Sequence, residues 1–369
     1  MPFSEELVRE LKQAIEVRQL HGSRSPTPLE WWYFTGHLWK ISSNEDCSSA
    51  DDTVKLALKR TPDHGVQSTF FLSDKGEPKG LLAHSAESNL AEKKHSHVEM
   101  VSALASASVS PIAFVQKDLL NVALGHWRLN QMGLSERAVQ WDLRFDVRGT
   151  EYLLQLEFPT NKIWFHGKDG WLQKTNSTGN FYYSVPFVVA RGMRVSRNAM
   201  GLPVGENVCG RLWFDHEIHV ENVLDVGWRW FGLSFSNKKA LMFYEIQSSK
   251  ERVQPKGELW DESTGKSFSL ENVAIVPGKE VCLASKNCYP QSFSISFRNP
   301  QSGRLEKVET SAAFANQEIS NPGFGQSRVY WEGSTRARWF AAGSIGTSKN
   351  QQPSEGIGFT ELVPQVPGK

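Results

Sequence analysis

The chain has 369 residues, and its 41 Lys and Arg nearly balance its 40 Asp and Glu, giving a formal net charge of +1. A typical domain holds about 100–200 residues, so this length predicts two domains. The balanced charge argues against nucleic acid or an anionic membrane surface as the main partner. No apolar run approaches the roughly 20 residues that span a bilayer, and no basic segment followed by an apolar one opens the chain. We therefore expect a cytoplasmic protein without an integral membrane segment.

The four cysteines are Cys47, Cys209, Cys282 and Cys288. They form neither a CxxC pair nor a Cys/His spacing typical of zinc sites. In a cytoplasmic chain of this size we expect them to be reduced thiols.

The aromatic content is high: 21 Phe, 13 Trp and 7 Tyr make up 11% of the chain. Large rigid rings either fill a core or line an apolar pocket. Which of the two applies here decides how the rest of the sequence is interpreted.

The first predicted element is an amphipathic helix over residues 4–18. Ser4 is a suitable N-cap, and Leu7, Leu11 and Ile15 recur at helical spacing. We expect this helix to pack against the main body of the protein.

From Trp31 onward the hydrophobic pattern has period two and predicts strands. Arg148-Gly149 is a turn sequence between two alternating runs, 141–147 and 150–158, and predicts a hairpin. A second hairpin is predicted where residues 236–239 connect the run 227–235 to the run 240–246. Many short strands without intervening helices favour antiparallel barrels or sandwiches.

Several stretches are predicted to be loops, and a domain boundary is expected near residues 221–226. The Ser- and Asp-rich stretch 42–53 is one such loop. The segment 86–110, rich in Ser, Ala, His and Lys, is expected to cover an opening rather than to build the sheet.

Most standard catalytic signatures are absent: the chain has no GxSxG, P-loop, HExxH or strand-associated GxGxxG motif. His95 and His97 would share a face of an extended segment and could form a metal pair. Because Lys93 and Lys94 are adjacent and no carboxylate partner is evident, a solvated loop is the better interpretation.

A carboxylate followed by four aromatic residues begins the first strand, where Glu30 precedes Trp31, Trp32, Tyr33 and Phe34. A carboxyl group inside a barrel would be poorly solvated and would be a candidate proton donor. The structural alternative is that Trp31 and Tyr33 belong to the core and Glu30 forms a hydrogen bond at the barrel entrance.

Alternation over 210–219 places His216 on the apolar face of a strand, together with Phe214. Such a histidine is usually a satisfied core residue. If the face lines a cavity, it becomes a proton donor or a hydrogen-bond anchor for a ligand.

A third cluster is the hairpin that carries Trp228 and Trp230 opposite the strand around Phe243. Alternation places Glu245 on the Phe243 face and Tyr244 on the other. One of the two faces must meet solvent or a second sheet.

An ordered set of motifs resembles the AttH-like and carotenoid 1,2-hydratase family. The resemblance spans residues 26–363, and its most specific run is EWWYFTGHL at 30–38. The further matches are Ser68–Phe71, Ala83–Ala86, Phe165–Gly167, Tyr182–Ser184, Gly210–Glu217, Gly227–Phe231, Ala240–Tyr244, Tyr289-Pro290, Tyr330–Gly333 and Gly358–Leu362.

This resemblance implies an all-β fold of two tandem lipocalin-like antiparallel β-barrels with a short N-terminal helix. The corresponding division is 1–24 for the helix and lead-in, 25–222 for the first barrel and 223–369 for the second. An apolar pocket would lie between or within the barrels, and no metal or organic cofactor is expected.

The local patterns and the resemblance together give candidate site residues, and the resemblance itself supports His216. His216, Glu245, Tyr244 and Glu30 are the candidates for catalysis. The candidates for substrate binding are aromatic or imidazole side chains: Trp31, Tyr33, His84, Tyr183, Phe214, Trp228, Trp230, Phe243 and Trp331. In hydratase-like members a Trp stands two residues after the histidine, whereas this chain has Ile218, and the later Tyr–Asp element is matched here only by Tyr244-Glu245.

Family members act on apolar isoprenoid or polyketide compounds, so three functions are open. The expectation ranked first is a cofactor-free enzyme that cyclises or isomerises an isoprenoid or polyene, similar to a Diels-Alderase of natural-product biosynthesis. The second is hydration of an isoprenoid double bond. The third is a non-catalytic carrier of an apolar ligand.

Overall fold

The computed structural model describes residues 4–16, 21–24, 27–42, 45, 47, 50–73, 80–103, 113–117, 119–135, 138–175, 178–219, 226–248, 253–321, 328–341 and 352–365. Strands account for 68% of it and helices for 6%, in two nearly closed, barrel-like antiparallel sheets. The predicted all-β class is therefore confirmed. No helix in these ranges is long and apolar enough to cross a bilayer.

The chain forms two compact units. The first contains residues 1–87, 96–223 and 320–328, and the second contains 88–95, 224–319 and 329–369. The predicted boundary near 221–226 lies almost wholly outside the described residues.

The first unit holds a 13-stranded sheet with the order β4-β3-β2-β1-β13-β12-β9-β8-β7-β6-β5, with β10 and β11 paired to β12. Its strands are β1 Leu29–Lys40, β2 His64–Ser73, β3 Gly80–Asn89, β4 Lys94–Ala103, β5 Ala113–Val115, β6 Asn121–Leu124, β7 Trp127–Leu134, β8 Ala138–Val147, β9 Thr150–Pro159, β10 Trp164–Phe165, β11 Trp171–Gln173, β12 Gly179–Arg197 and β13 Pro203–His219.

The second unit holds a 10-stranded sheet, β17-β16-β15-β14-β25-β24-β22-β21-β18, with β23 on β24, and a small β19–β20 ribbon. Its strands are β14 Gly227–Phe235, β15 Lys239–Gln247, β16 Lys256–Asp261, β17 Lys266–Ser269, β18 Glu271–Pro277, β19 Glu280–Cys282, β20 Cys288–Pro290, β21 Ser292–Asn299, β22 Arg304–Ala312, β23 Glu318–Asn321, β24 Arg328–Phe340 and β25 Ser354–Val363.

Both predicted hairpins are present. Arg148 and Gly149 have φ angles of 48° and 83°, the left-handed values that a type I′ turn needs, and they join β8 to β9. The turn after Phe235 joins β14 to β15, as predicted.

The N-terminal helix α1, Glu5–Glu16, closes part of the first barrel-like sheet. The Ser4 hydroxyl accepts a hydrogen bond from the Leu7 amide at 3.2 Å, as an N-cap does. Val8, Leu11 and Ile15 join the core of the sheet, whereas Leu7 is exposed. Leu11 and Ile15 therefore lie inward as predicted, whereas Val8 takes the inward position expected for Leu7.

Two loop predictions are wrong. Residues 50–59 form a second helix, α2 Ala50–Lys59, within the stretch 42–53 and beyond it. Residues 86–103 complete β3 and form β4, whose Val98 and Met100 pack against the core, so this part builds the sheet instead of covering an opening. Residues 104–112 lie outside the described ranges.

The expectation of reduced thiols is also contradicted. Cys47 is bonded to Cys209, and Cys282 is bonded to Cys288 across the β19–β20 ribbon. Pairing of β19 with β20 brings Cys282 and Cys288 together, whereas Cys47 lies outside the strands and meets Cys209 on β13 through the tertiary fold.

Candidate functional site

Alternation along β1 divides its side chains between two buried faces. Trp32 and Phe34 enter the core inside the first sheet, and Glu30 shares their face by the period of two. Trp31 and Tyr33 point to the opposite face. The sequence placed these residues in one cluster, but the pleat separates them.

Strand pairing brings three side chains into one row inside the first sheet. His216 on β13 lies opposite Trp32 on β1 and opposite Tyr183 on β12. Glu30 stands one inward position further along β1. All four side chains are buried, with exposed fractions of 0%.

These side chains form a continuous hydrogen-bonded chain that also includes His21. The Nε2 atom of His216 lies 2.8 Å from Glu30 Oε1, and its Nδ1 atom lies 2.9 Å from the Tyr183 hydroxyl. The same hydroxyl lies 2.7 Å from His21 Nδ1. We call His21, Tyr183, His216 and Glu30 the relay.

The far end of the relay is a carboxylate surrounded by donors. The Ser23 hydroxyl donates to Glu30 Oε2 at 3.0 Å, and the Arg24 amide reaches both oxygens at 3.1 and 3.2 Å. With His216 added, Glu30 accepts from three groups, as suits an ionised carboxylate in a buried place.

Proton counting gives the relay a direction. If neutral His216 donates from Nε2 to Glu30, its Nδ1 atom must accept the Tyr183 proton. The phenol oxygen then accepts from Nδ1–H of His21. If His216 is protonated, it donates to the Tyr183 oxygen instead, and the phenol proton turns away from His216. One proton therefore reverses the donor at the Tyr183 hydroxyl.

Burial controls the charge states of the relay. It lowers the pKa of His216, although the Glu30 carboxylate partly opposes that effect. It also lowers the pKa of His21 well below its ordinary value, aided by His216 and Arg24. Burial raises the pKa of Tyr183 well above its ordinary value. Both imidazoles and the phenol are therefore neutral near pH 7.

Aromatic rings surround the relay. Trp32 stacks on the His216 ring with centroids 5.2 Å apart, and its Nε1 atom donates to the His21 carbonyl at 3.0 Å. Trp141 lies 4.8 Å from Phe214 and 5.1 Å from His21, edge to face. Such surroundings are apolar, and their ring faces can stabilise a cation.

A second buried carboxyl group lies on the opposite face of β13. Asp215 accepts hydrogen bonds from Tyr182 at 2.9 Å, from Trp213 at 2.7 Å and from Ser184. His166 in turn contacts the Ser184 hydroxyl at 2.6 Å. Burial raises the pKa of Asp215 to about 8, because these hydrogen bonds only partly offset it.

The remaining candidates of the first unit lie on this opposite face. Trp31 packs on His219 with ring centroids 4.2 Å apart. His84 is buried 5.1 Å from the Phe71 ring, and burial lowers its pKa to about 3. Tyr33 is also buried. None of the three shares the inward face that carries the relay.

The candidates of the second unit divide in the same way. Phe243 and Trp331 belong to the core inside its sheet. Trp230 lies opposite Tyr244 on the other face, and Trp228 donates to Glu361 at 2.7 Å. Most side chains on both faces of this hairpin are buried.

Glu245 forms a partly exposed ion pair with Arg229, with 2.7 Å between Oε2 and Nη1. Its carboxylate is thus held by a guanidinium, which suits a structural role better than proton donation.

The sequence singled out Glu30, Tyr183, Phe214 and His216, and the structure gathers these four inside the first unit. It missed His21, Trp32 and Trp141. Trp32 could have been found, because alternation from an inward Glu30 makes it inward too. His21 lies in a coil segment without periodicity and carried no such signal. In the described ranges no three His, Cys, Asp or Glu side chains form a metal-binding group.

The fold and this site define a lipocalin-like protein of two barrel-like sheets, with a buried acid–base chain in the first. The family model for AttH-like proteins matches residues 10–364, and the chain belongs to that family. The resemblance seen in the sequence motifs is thereby confirmed.

Two solved structures share the fold. An AttH protein from Nitrosomonas europaea is 20% identical, covers 100% of both chains and superposes with a TM-score of 0.75. Kievitone hydratase from Nectria haematococca is 13% identical, covers 93% of this chain and 91% of its own, and has a TM-score of 0.65. At these identities the likeness establishes the fold alone. No curated protein sequence matched this chain.

Proposed function

We propose that the protein is a cofactor-free hydratase, which adds water to a carbon–carbon double bond of an apolar isoprenoid or polyene. The observation that carries this proposal is the relay: a buried carboxylate, imidazole and phenol in line, with separations of 2.8 and 2.9 Å. The similarity in fold to a protein named as a hydratase supports it.

The first step is protonation of the alkene. Protonated His216 passes a proton from Nδ1 to the Tyr183 oxygen while the phenol gives its own proton to carbon. Because the pKa of the phenol is raised, Tyr183 can act as an acid only when its oxygen is reprotonated in the same event. The product is a tertiary carbocation, and His216 becomes neutral.

The second step is capture of the cation by water. The oxygen of water bonds to carbon, and the proton it loses returns through Tyr183 to His216, so atoms and charge balance. The Glu30 carboxylate stabilises the imidazolium from 2.8 Å, and the faces of rings such as Trp141 and Phe214 stabilise the carbocation.

Cyclisation, which the sequence favoured, requires less of this machinery. A pericyclic reaction needs a shaped apolar pocket and one or two hydrogen bonds, and a carrier needs no proton donor. Burying a carboxylate, an imidazole and a phenol together costs free energy. Proton transfer is a function that requires all three groups. The relay therefore favours hydration.

The test is incubation of the full chain with isoprenoid and polyene alkenes in buffer made with oxygen-18 water. Hydration yields a product heavier by one labelled water. A product of unchanged mass and new retention time would replace this proposal with cyclisation or isomerisation. A ligand that is bound and recovered unaltered, with no turnover in the panel, would favour the carrier.

A further inference from the structure

The hairpin formed by β12 and β13 extends beyond the sheet to which it belongs. Pairing of β9 with β12 ends at Val195, and pairing of β1 with β13 ends at Val208. β12 and β13 continue to pair with each other as far as Arg197 opposite Pro203. We call residues 196–204 the hairpin tip.

The hairpin tip exposes large apolar side chains. Met200 is 78% exposed, Leu202 55% and Val204 43%, and Met193 on the stem is 42% exposed. Met193 and Val204 occupy opposite faces of the hairpin, because neighbouring positions in the register alternate. Met200, Leu202 and Val204 are thus exposed apolar residues at the hairpin tip, and such clusters on a surface mark interaction sites.

The backbone of the hairpin tip is satisfied internally. The Asn198 side-chain oxygen accepts from the amides of Met200 and Leu202, each at 3.0 Å. The Asn198 amide donates to the Leu202 carbonyl, and the Gly201 amide donates to the Asn198 carbonyl, each at 2.9 Å. A turn without free amides at these positions can leave water at little cost, because unpaired backbone groups are what an apolar phase penalises.

Three arginines lie toward the end of the hairpin. Arg191, Arg194 and Arg197 lie within residues 191–205, which contain no Asp or Glu. Arg191 and Arg194 face Glu157, Glu87 and Glu206 on the sheet side. The exposed Arg197 donates to the Gly201 carbonyl at 2.8 Å and stands beside the apolar turn. Glu151 also lies opposite Val195 on the stem, so acids accompany the stem arginines, and Arg197 supplies the charge of the hairpin tip itself.

We propose that the hairpin tip inserts into the surface of an anionic lipid bilayer. Met200, Leu202 and Val204 would enter the boundary between headgroups and acyl chains, and Arg197 would contact lipid phosphates. The near-zero charge of the whole chain gave no sign of such a surface, because the relevant charge is local. The proposal does not depend on the proposed enzymatic function.

A bilayer suits the hairpin tip better than a second copy of the chain. The hairpin tip projects beyond the neighbouring strands, so a bilayer surface can surround it, whereas a protein partner with one flat face would cover one side only. Pro203 also lacks the amide that edge-to-edge strand pairing would use.

The test is co-sedimentation of the full chain with vesicles of phosphatidylcholine and phosphatidylglycerol. Met200→Ser with Leu202→Ser is compared with the control Met132→Ser with Leu134→Ser. The control pair lies on β7, with exposed fractions of 62% and 53%, and removes the same residue types elsewhere on the first unit.

We expect the unmodified chain to bind these vesicles, the tip variant to bind at least about tenfold more weakly and the control to bind normally. Arg197→Gln should weaken binding a few-fold and reduce its dependence on salt. Failure of the unmodified chain to sediment, or equal losses in the two double variants, would overturn the proposal. If the protein instead forms a dimer in the absence of vesicles, and the tip variant but not the control loses that dimer, the hairpin tip is a self-association site.

Discussion

Glu30 and His216 are 186 positions apart in the chain, yet their side chains meet at 2.8 Å in a fully buried place. The contact exists because β1 and β13 are antiparallel neighbours and both residues lie on the inward face. It joins a potential base to a potential acid and leaves the second nitrogen of the imidazole for Tyr183.

The first prediction concerns the Tyr183 hydroxyl. Tyr183→Phe removes the link between His21 and His216, so kcat should fall at least about 10²-fold if proton transfer passes through it. Two buried ring nitrogens lose a partner, which should lower the free energy of unfolding by about 1–3 kcal/mol. Steady-state kinetics and chemical denaturation measure the two effects.

Tyr182→Phe is the matched control, since Tyr182 is the adjacent buried tyrosine and its hydroxyl bonds to Asp215 on the opposite face. It should lose similar stability and keep most of its activity. Equal loss of activity in both variants would show that the Tyr183 effect is structural.

The second prediction concerns the Glu30 carboxylate. Glu30→Gln keeps an oxygen for Nε2–H of His216 but removes the negative charge that stabilises the imidazolium. The pKa of His216 should therefore fall further, and hydration should slow by about 10²-fold near neutral pH. The rising limb of the pH–rate profile should move to lower pH, a shift that a purely structural defect would not produce.

The third prediction is the pH dependence of the unmodified enzyme. Burial lowers the pKa of His216, so its protonated form accumulates only below the ordinary histidine range. Since protonated His216 is the acid in the proposed mechanism, kcat/KM should rise as pH falls below about 6.5. Circular dichroism at each pH verifies that the fold is intact. A rate that is flat or falls over this range would contradict the role of His216 as the acid.

The fourth prediction concerns stability and Asp215. Its pKa is about 8 in the folded protein, against an ordinary aspartate value of 3.8 in an unfolded chain. Between these values the folded state binds more protons, so Asp215 lowers the free energy of unfolding as pH rises from about 4 to 8. Asp215→Asn removes that dependence. The difference in free energy of unfolding between the variant and the unmodified chain should therefore favour the variant by a few kcal/mol more at pH 8 than at pH 5. Denaturation curves at both pH values measure the difference, and an equal offset at both would contradict the raised pKa.

Much of the site could be predicted from local sequence patterns. Alternation placed Phe214 and His216 on one face of a strand, and the structure has them there. The same alternation grouped Trp31 with Tyr33, opposite the face of Glu30, although the cluster looked continuous in the sequence. Period two shows which side chains share a face, but it does not show which face is inside when both are buried, as on β1 and β15.

The sequence by itself determined the all-β class, both hairpins, the N-terminal helix and the family, because periodicity, turn chemistry and motif order are local properties of the chain. Only the tertiary structure decided which strands are neighbours. That pairing placed Glu30 beside His216, brought His21 from an irregular segment to Tyr183, and left Met200 and Leu202 exposed at the end of the long hairpin. Each depends on contacts between residues far apart in the chain or on what surrounds a side chain, and no local pattern encodes them.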